Sequence, residues 1–317
     1  MSCLRVAVLG GSRFIGRAIV ERLLKRGHRL ITVNRGVTPV DYPGEVERVS
    51  ADRRDHAAFG AALKRFEADW VVDVSAYCGE DTRNAVDALR GRLRGFLHIS
   101  SLSVYKWPFP CPVSEKWPLE TDLANHYGFH KAECERVLYG TSGFPWTILR
   151  LPAVFGPCDP HSRERYLVDD LLQGRPVMIP ESPFLCQNIF VEDAAEAVSR
   201  LIDCGGRSGG VYNAGGPAFT LEDYVERFGR LVECEPLMIR ATSETLGPKI
   251  DSSRLPYFFE GDLVMDTARL KSETGFEAGL FFDRDLFLTV GWILENPVET
   301  TWWGLPRERA AARRAFG

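Results

Sequence analysis

The chain has no CxxC pair, and its eight cysteines (Cys3, Cys78, Cys111, Cys134, Cys158, Cys186, Cys204 and Cys234) are scattered, with no histidine close enough to complete a zinc site. This argues against a disulfide scaffold and predicts reduced, mostly buried thiols and no bound metal. No apolar run approaches the roughly 18 residues of a membrane span. The N-terminus enters a strand almost at once, leaving no room for a signal peptide, so a cytoplasmic protein is expected. Basic excess is also missing: 39 Lys and Arg against 43 Asp and Glu give a net charge of −4. Such a balance offers no global field for nucleic acid or an anionic membrane, and neither is expected as a partner. Internal repeats and low-complexity tracts are absent too.

What is present is a chain of 317 residues, 45% of them hydrophobic, enough to bury a large core in one big domain or two smaller ones. The first half alternates strand and helix. Strands are expected at 6–9, 28–36, 45–52, 69–77, 95–105 and 146–156, with helices near 55–67, 80–93 and 126–140. Continuous apolar strands alternating with helices imply a parallel sheet covered on both faces. After Gly156 the rhythm breaks, although "VEDAAEAVSRLID" (191–203) is a clear helix and "GVYNAGG" (210–216) reads as a strand returning to the first sheet. The expected layout is a Rossmann-type, doubly wound α/β domain over 1–156, joined by 188–217. A smaller mixed α/β substrate-binding domain would span 157–187 and 218–300, and a basic tail 301–317.

The stretch "VAVLGGSRFIG" (6–16) places a strand, two glycines and a helix start in succession. A helix N-terminus presents free N–H groups and a positive dipole end, which is what a pyrophosphate needs. Gly10 can make the tight turn and Gly16 can let helix and strand pack closely, while Arg13 replaces the middle glycine. Its guanidinium can curl back onto a phosphate, or be simply a solvated residue of the first turn. The second strand ends in Asn34 and Arg35, where an NAD site wants an acid for the ribose 2′-hydroxyl. An amide beside a guanidinium suits a 2′-phosphate, so NADP is favoured and NAD remains open. Asp52, ending the third strand, is placed either to accept from the adenine amino group or to cap its own loop.

In "HYGFHKAECERVL" (126–138), Tyr127 and Lys131 are four apart and share one face of a helix. A tyrosine needs help to act as a base near neutrality, because its ordinary pKa is about 10. An ammonium and a charged nicotinamide both favour the phenolate. Ser101, closing the preceding strand, can hydrogen-bond the same substrate oxygen.

Taken in order, "GGSRFIG", "ISSLSVY", "YGFHK", "LRLPAVFGP" and "IFVEDAAEAV" resemble the extended short-chain dehydrogenase/reductase family over about residues 4–290. That family includes NAD-dependent sugar-nucleotide epimerases and dehydratases. "GGSRFIG" with "NRG" is most similar to a branch that also holds the chloroplast stem-loop-binding proteins. The resemblance implies a catalytic Ser101, Tyr127 and Lys131. It implies a cofactor lined by Gly10, Ser12, Arg13, Phe14, Ile15, Gly16, Asn34, Arg35, Asp52 and Arg53, with Ser75, Ala76 and Pro152 nearer the nicotinamide. It also implies a homodimer through the helices at 80–93 and 126–140, where "AVDALRGRL" and "AECERVLY" carry more apolar residues than one core-facing stripe requires.

The departures bear on the substrate. Leu102 and Ser103 stand where 4,6-dehydratases carry an Asp-Glu pair. Ala153 and Cys186 stand where many members carry an Asn and an Arg that grip a substrate diphosphate. Arg163 and Arg165 can compensate or form a solvated charge cluster. The expected activity is therefore that of an NAD(P)-dependent epimerase or reductase, and not of a 4,6-dehydratase. Its substrate is a sugar nucleotide or another polyhydroxylated small molecule. The rival reading is a non-catalytic cofactor binder acting through RNA or protein.

Overall fold

The computed structural model describes residues 3–159, 163–242, 244 and 261–297; the basic tail expected at 301–317 lies outside them. Two compact units emerge. The first comprises Met1–Val154, Val191–Gly215 and Met265–Ala278, the second Phe155–Phe190, Gly216–Val264 and the chain from Gly279 onward.

The first unit holds β1 (Arg5–Leu9), α1 (Phe14–Lys25), β2 (Arg29–Asn34), β3 (Val46–Ser50), α2 (His56–Leu63), β4 (Trp70–Asp73), α3 (Gly79–Leu89) and β5 (Gly95–Ser101). There follow α4 (His126–Tyr139), β6 (Trp146–Leu151) and the short β7 (Ala153–Phe155), within which the division between the units falls. The strands β1 to β6 and β10 (Gly210–Asn213) form one seven-stranded sheet in the order β10-β6-β5-β4-β1-β2-β3, and every pairing is parallel. The chain winds outward from β1 through β2 to β3, then returns to place β4 on the other side of β1. This is a Rossmann-type doubly wound sheet, with its switch point between β1 and β4, where such folds bind ligands at the strands' carboxyl ends.

Alternation along the strands sends two sets of side chains to opposite faces. Ala7, Leu9, Ile31, Val33, Val71, Phe96 and Ile148 meet Phe59 and Leu63 of α2, Ala85, Val86 and Leu89 of α3, and Leu138 of α4 in one buried cluster. Helix α1 buries Gly16, Ile19, Val20 and Leu23, a stripe of helical period. Helix α6 (Val191–Asp203) shares an ion-pair network with α1, in which Glu196 accepts from Arg22, Arg26 and Arg200.

Several elements are shorter than their sequence suggests. The fifth strand stops at Ser101 and turns into a single 3-10 turn, Leu102–Val104. The sixth is interrupted at Pro152, which has no N–H to give to a ladder. Met265–Ala278, expected with the smaller domain, packs in the first unit instead. Its backbone and side chains bond to β10: Asn213 Nδ2 donates to Asp266 O, Arg269 to Val211 O, and Tyr212 Oη to Glu273, with Arg269 and Glu273 lying in α8 (Ala268–Thr274). Of the apolar residues that motivated a homodimer, those of α3 are covered within the chain, whereas Tyr139 of α4 is 43% exposed. Ala85, Val86, Ala88 and Leu89 are all buried, and the exposed positions of α3 are Glu80, Arg83 and Asp87.

The second unit contains α5 (Arg163–Leu172), β8 (Val177–Pro180), β9 (Leu185–Phe190), β11 (Ala218–Thr220), α7 (Leu221–Leu231), β12 (Met238–Ala241) and α9 (Phe282–Glu295). β8 pairs parallel with β12, and β9 antiparallel with β11. Arg165, expected as a possible diphosphate anchor, is buried and donates to the carbonyls of Ile293 and Asn296, so it caps the end of α9. No helix among the described residues is long and apolar enough to cross a membrane. No group of three or more His, Cys, Asp or Glu side chains among them could hold a metal ion.

Candidate active site

The glycine loop leaves β1 at Gly10, whose φ of +93° is open to glycine and strained for other residues. Its N–H donates to Val33 O at 3.0 Å. A Cβ on Gly10 would lie 2.8 Å from Ser75 Cβ, and one on Gly16 would lie 2.0 Å from the Gly10 carbonyl oxygen. Gly16 therefore lets α1 press directly on the loop. Phe14 opens the helix with φ +37°, a conformation that costs a bulky residue on the order of 1–3 kcal/mol. No side chain caps α1, and its first turn has no acidic residue. Its leading amides and dipole are thus available to an anion, while Ser12 and Ile15 line the same turn, half-buried.

Arg13 is exposed and its Nε donates to Thr38 Oγ1 at 2.8 Å. This brings the guanidinium to the loop that follows β2. There Asn34 Oδ1 accepts from the Gly36 N–H at 2.8 Å, and Arg35 is exposed. Asp52 caps its own loop, accepting from the Arg54 N–H at 3.0 Å.

Arg53 follows on the same loop. One of its amino groups donates to both oxygens of Asp73, at 2.9 Å each, and its guanidinium lies 4.9 Å from the Phe59 ring centre. A fully buried carboxylate needs such a countercharge, and Arg53 supplies it through one amino group, while its Nε and other amino group have no hydrogen-bond partner among the described residues. Asp73 in turn accepts from the N–H groups of Ser75 and Ala76 at 3.1 and 3.2 Å. These contacts set the loop after β4 against Gly10. Neither Arg53 nor Asp73 suggests this pairing from sequence position alone; only the buried strand-end acid was a signal.

Helix α4 carries the candidate chemistry. Asn125 caps it, accepting from the Gly128 N–H. Tyr127 in its first turn is 48% exposed, whereas Lys131, one turn later, is 3% exposed. Lys131 Nζ donates to Ile99 O at 2.6 Å and to Ala76 O at 3.0 Å. The amine thus ties together the ends of β5 and β4. Burial lowers the Lys131 pKa, against the opposing pull of Cys134, Asp73, Tyr77 and Glu135. Ser101 ends β5, its Oγ accepting from the Ser103 N–H at 3.1 Å, and Pro152 is buried beyond β6. Tyr77, which the sequence did not single out, joins the group: its ring centre lies 6.4 Å from that of Tyr127 and 5.9 Å from Lys131 Nζ.

Residues 6–215 match the NAD dependent epimerase/dehydratase family. The chain is 25% identical to the chloroplast stem-loop binding protein of 41 kDa b of Arabidopsis thaliana, over 69% of this chain and 60% of that protein. The match thus spans less than two thirds of that relative. It is also 25% identical to a dTDP-glucose 4,6-dehydratase of Streptomyces niveus, over 95% of both chains. Its fold resembles that of the UDP-glucose 4-epimerase of Thermus thermophilus in complex with NAD. The two superpose with a TM-score of 0.72 and 22% identity, over 93% of this chain and 100% of the other.

Proposed function

The chain belongs to the NAD-dependent epimerase/dehydratase family, and from that premise we propose that it moves hydride to or from a carbinol or ketone carbon, with Tyr127 as acid and base. The observation that carries this reading is the buried Lys131 amine, fixed on two backbone carbonyls one turn from the half-exposed Tyr127 phenol. The uncapped, acid-free start of α1 and the Gly10–Gly16 contact fit a dinucleotide pyrophosphate. A bound nicotinamide accepts hydride when oxidised and donates it when reduced.

Within that arrangement Tyr127 Oη takes or returns the substrate hydroxyl proton. Lys131 favours its phenolate by charge, and two of its three Nζ hydrogens go to carbonyls, leaving the third for a cofactor hydroxyl. Ser101 Oγ orients the substrate oxygen. Epimerisation, oxidation and reduction share this proton step. A 4,6-dehydration needs a further acid–base pair, and Leu102 and Ser103 do not supply one. Ala153 and Cys186 remove two diphosphate anchors, so the substrate is a polyhydroxylated small molecule, with sugar nucleotides one class among them. Asn34, Arg35 and the Arg13 drawn to Thr38 leave β2 without a terminal acid, which supports NADP over NAD.

Calorimetry should show binding of a nicotinamide dinucleotide. Tyr127→Phe should cut turnover by about 10²-fold or more with cofactor affinity intact. Normal turnover by that variant, or no binding of either cofactor, would overturn the reading.

A further inference from the structure

We propose that Tyr77 is a specificity-determining wall of this site and selects substrates whose reacting carbon belongs to a ring. The inference rests on the proposed role of Tyr127 only for where the substrate hydroxyl lies.

Tyr77 follows Ala76, whose carbonyl accepts from Lys131 Nζ, and the same amine sits 5.9 Å from the centre of the Tyr77 ring. The backbone on both sides is tied down. Asp73 accepts from the Ser75 and Ala76 amides, and the Tyr77 N–H donates to Asp81 Oδ2 at 2.9 Å as α3 begins. The backbone that carries the ring is therefore held in place, and the residue is 61% exposed. No hydrogen-bond partner for its hydroxyl is found among the described residues. With Tyr127 tilted 55° to it at 6.4 Å, two phenol rings form the sides of an angle at the carboxyl end of the sheet.

An aromatic face carries a negative quadrupole, which repels phosphate and attracts cations and polarised C–H groups. Lys131 meets that preference from the protein side. From the other side, the matching group is a saturated ring that presents its C–H face to Tyr77 while its hydroxyl reaches Tyr127. A short acyclic alcohol covers little of the wall and gains little from it. A phenol of ordinary pKa about 10 keeps its proton near neutrality, so Tyr77 supplies surface and a hydroxyl donor rather than a second base.

The test uses the full chain saturated with NADP or NAD, with cyclohexanol, methyl glucopyranoside and 2-propanol as probes. Dissociation constants come from calorimetry, and turnover from the absorbance of reduced cofactor. A cyclic probe should bind more tightly than 2-propanol. Tyr77→Ala should weaken it about fivefold to tenfold, leaving 2-propanol and the cofactor unchanged. Tyr77→Phe, which keeps the ring, should bind the cyclic probe almost as well as the native protein. Unchanged cyclic binding in Tyr77→Ala, equal losses for cyclic and acyclic probes, or no preference for a ring in the native chain would each overturn the proposal. Failure of the hydride-transfer reading registers separately, as missing cofactor binding or an active Tyr127→Phe variant.

Discussion

Asp73 on β4 and His98 on β5 are direct register partners, both fully buried, and among the described residues only the carboxylate of the two side chains is hydrogen-bonded. Neither His98 ring nitrogen has a hydrogen-bond partner among those residues. Burial holds the imidazole well below its ordinary pKa of 6.5, and the nearby Lys131 and Arg53 charges push the same way.

The consequence is a dependence of stability on acid. His98 is neutral in the folded chain, while the unfolded chain takes up a proton near its ordinary pKa. Stability is therefore complete above about pH 6.5 and falls as the pH drops below that value towards the depressed folded pKa. His28 is shifted in the same direction, again mainly by burial, so the two must be separated by substitution. Urea unfolding at about pH 7.5 and about pH 5 should show that His98→Leu removes up to about 2 kcal/mol of the acid-induced loss. Equal losses in native and variant proteins would mean that His98 titrates normally.

Gly16→Ala tests the loop. The added methyl would sit 2.0 Å from the Gly10 carbonyl oxygen, a backbone atom held in place because the Gly10 N–H is bonded to Val33. Overpacking of this kind costs about 1–3 kcal/mol. The variant should melt earlier and bind cofactor at least about tenfold more weakly, because α1 can no longer press on the turn. Unchanged cofactor affinity in calorimetry would show that the contact does not shape the cradle.

The parallel sheet was legible because apolar runs and helical periods alternate through residue 156. That Tyr127 and Lys131 stand one turn apart on one helix was legible from their spacing of four. The partners of these residues were not. Lys131 binds the carbonyls of Ala76 and Ile99, groups every residue carries, so nothing in their side chains marks them. Arg165 looked like an anion ligand by charge, but it reaches carbonyls 128 and 131 residues away. Tyr77 belongs to no periodic pattern and becomes visible only when α4 is laid across β4 and β5. Met265–Ala278 was misplaced because it joins β10 by individual hydrogen bonds rather than by a further β-α unit.

Arg35 bears on cofactor choice. It is exposed at the end of β2, on the loop to which Thr38 draws Arg13. A charged contact to a 2′-phosphate contributes on the order of 1.5–3 kcal/mol. Arg35→Ala should then lower the ratio of NADP to NAD affinity about tenfold or more in parallel titrations. Equal loss of both would show that Arg35 does not read the phosphate.

A buried ion pair ties α4 to the sheet. Glu135, one turn beyond Lys131, accepts from Arg150 Nε at 2.9 Å, Ser100 Oγ at 2.6 Å and Tyr139 Oη at 2.8 Å. Arg150, on β6, also donates to Glu115 O at 3.0 Å and lies 4.7 Å from the Tyr105 ring centre. Both charges are almost wholly buried. Removing one leaves the other without its partner in a dry site, which costs about 3–5 kcal/mol. Glu135→Leu and Arg150→Met should each destabilise the protein by that order and weaken cofactor binding, because α4 carries Lys131. Replacing both together removes the orphaned charge as well as the pair. The double variant should therefore be more stable than the sum of the single losses predicts, by about 2 kcal/mol or more in a denaturant cycle. Simple additivity would mean that the two charges do not depend on each other, and that packing alone positions the helix.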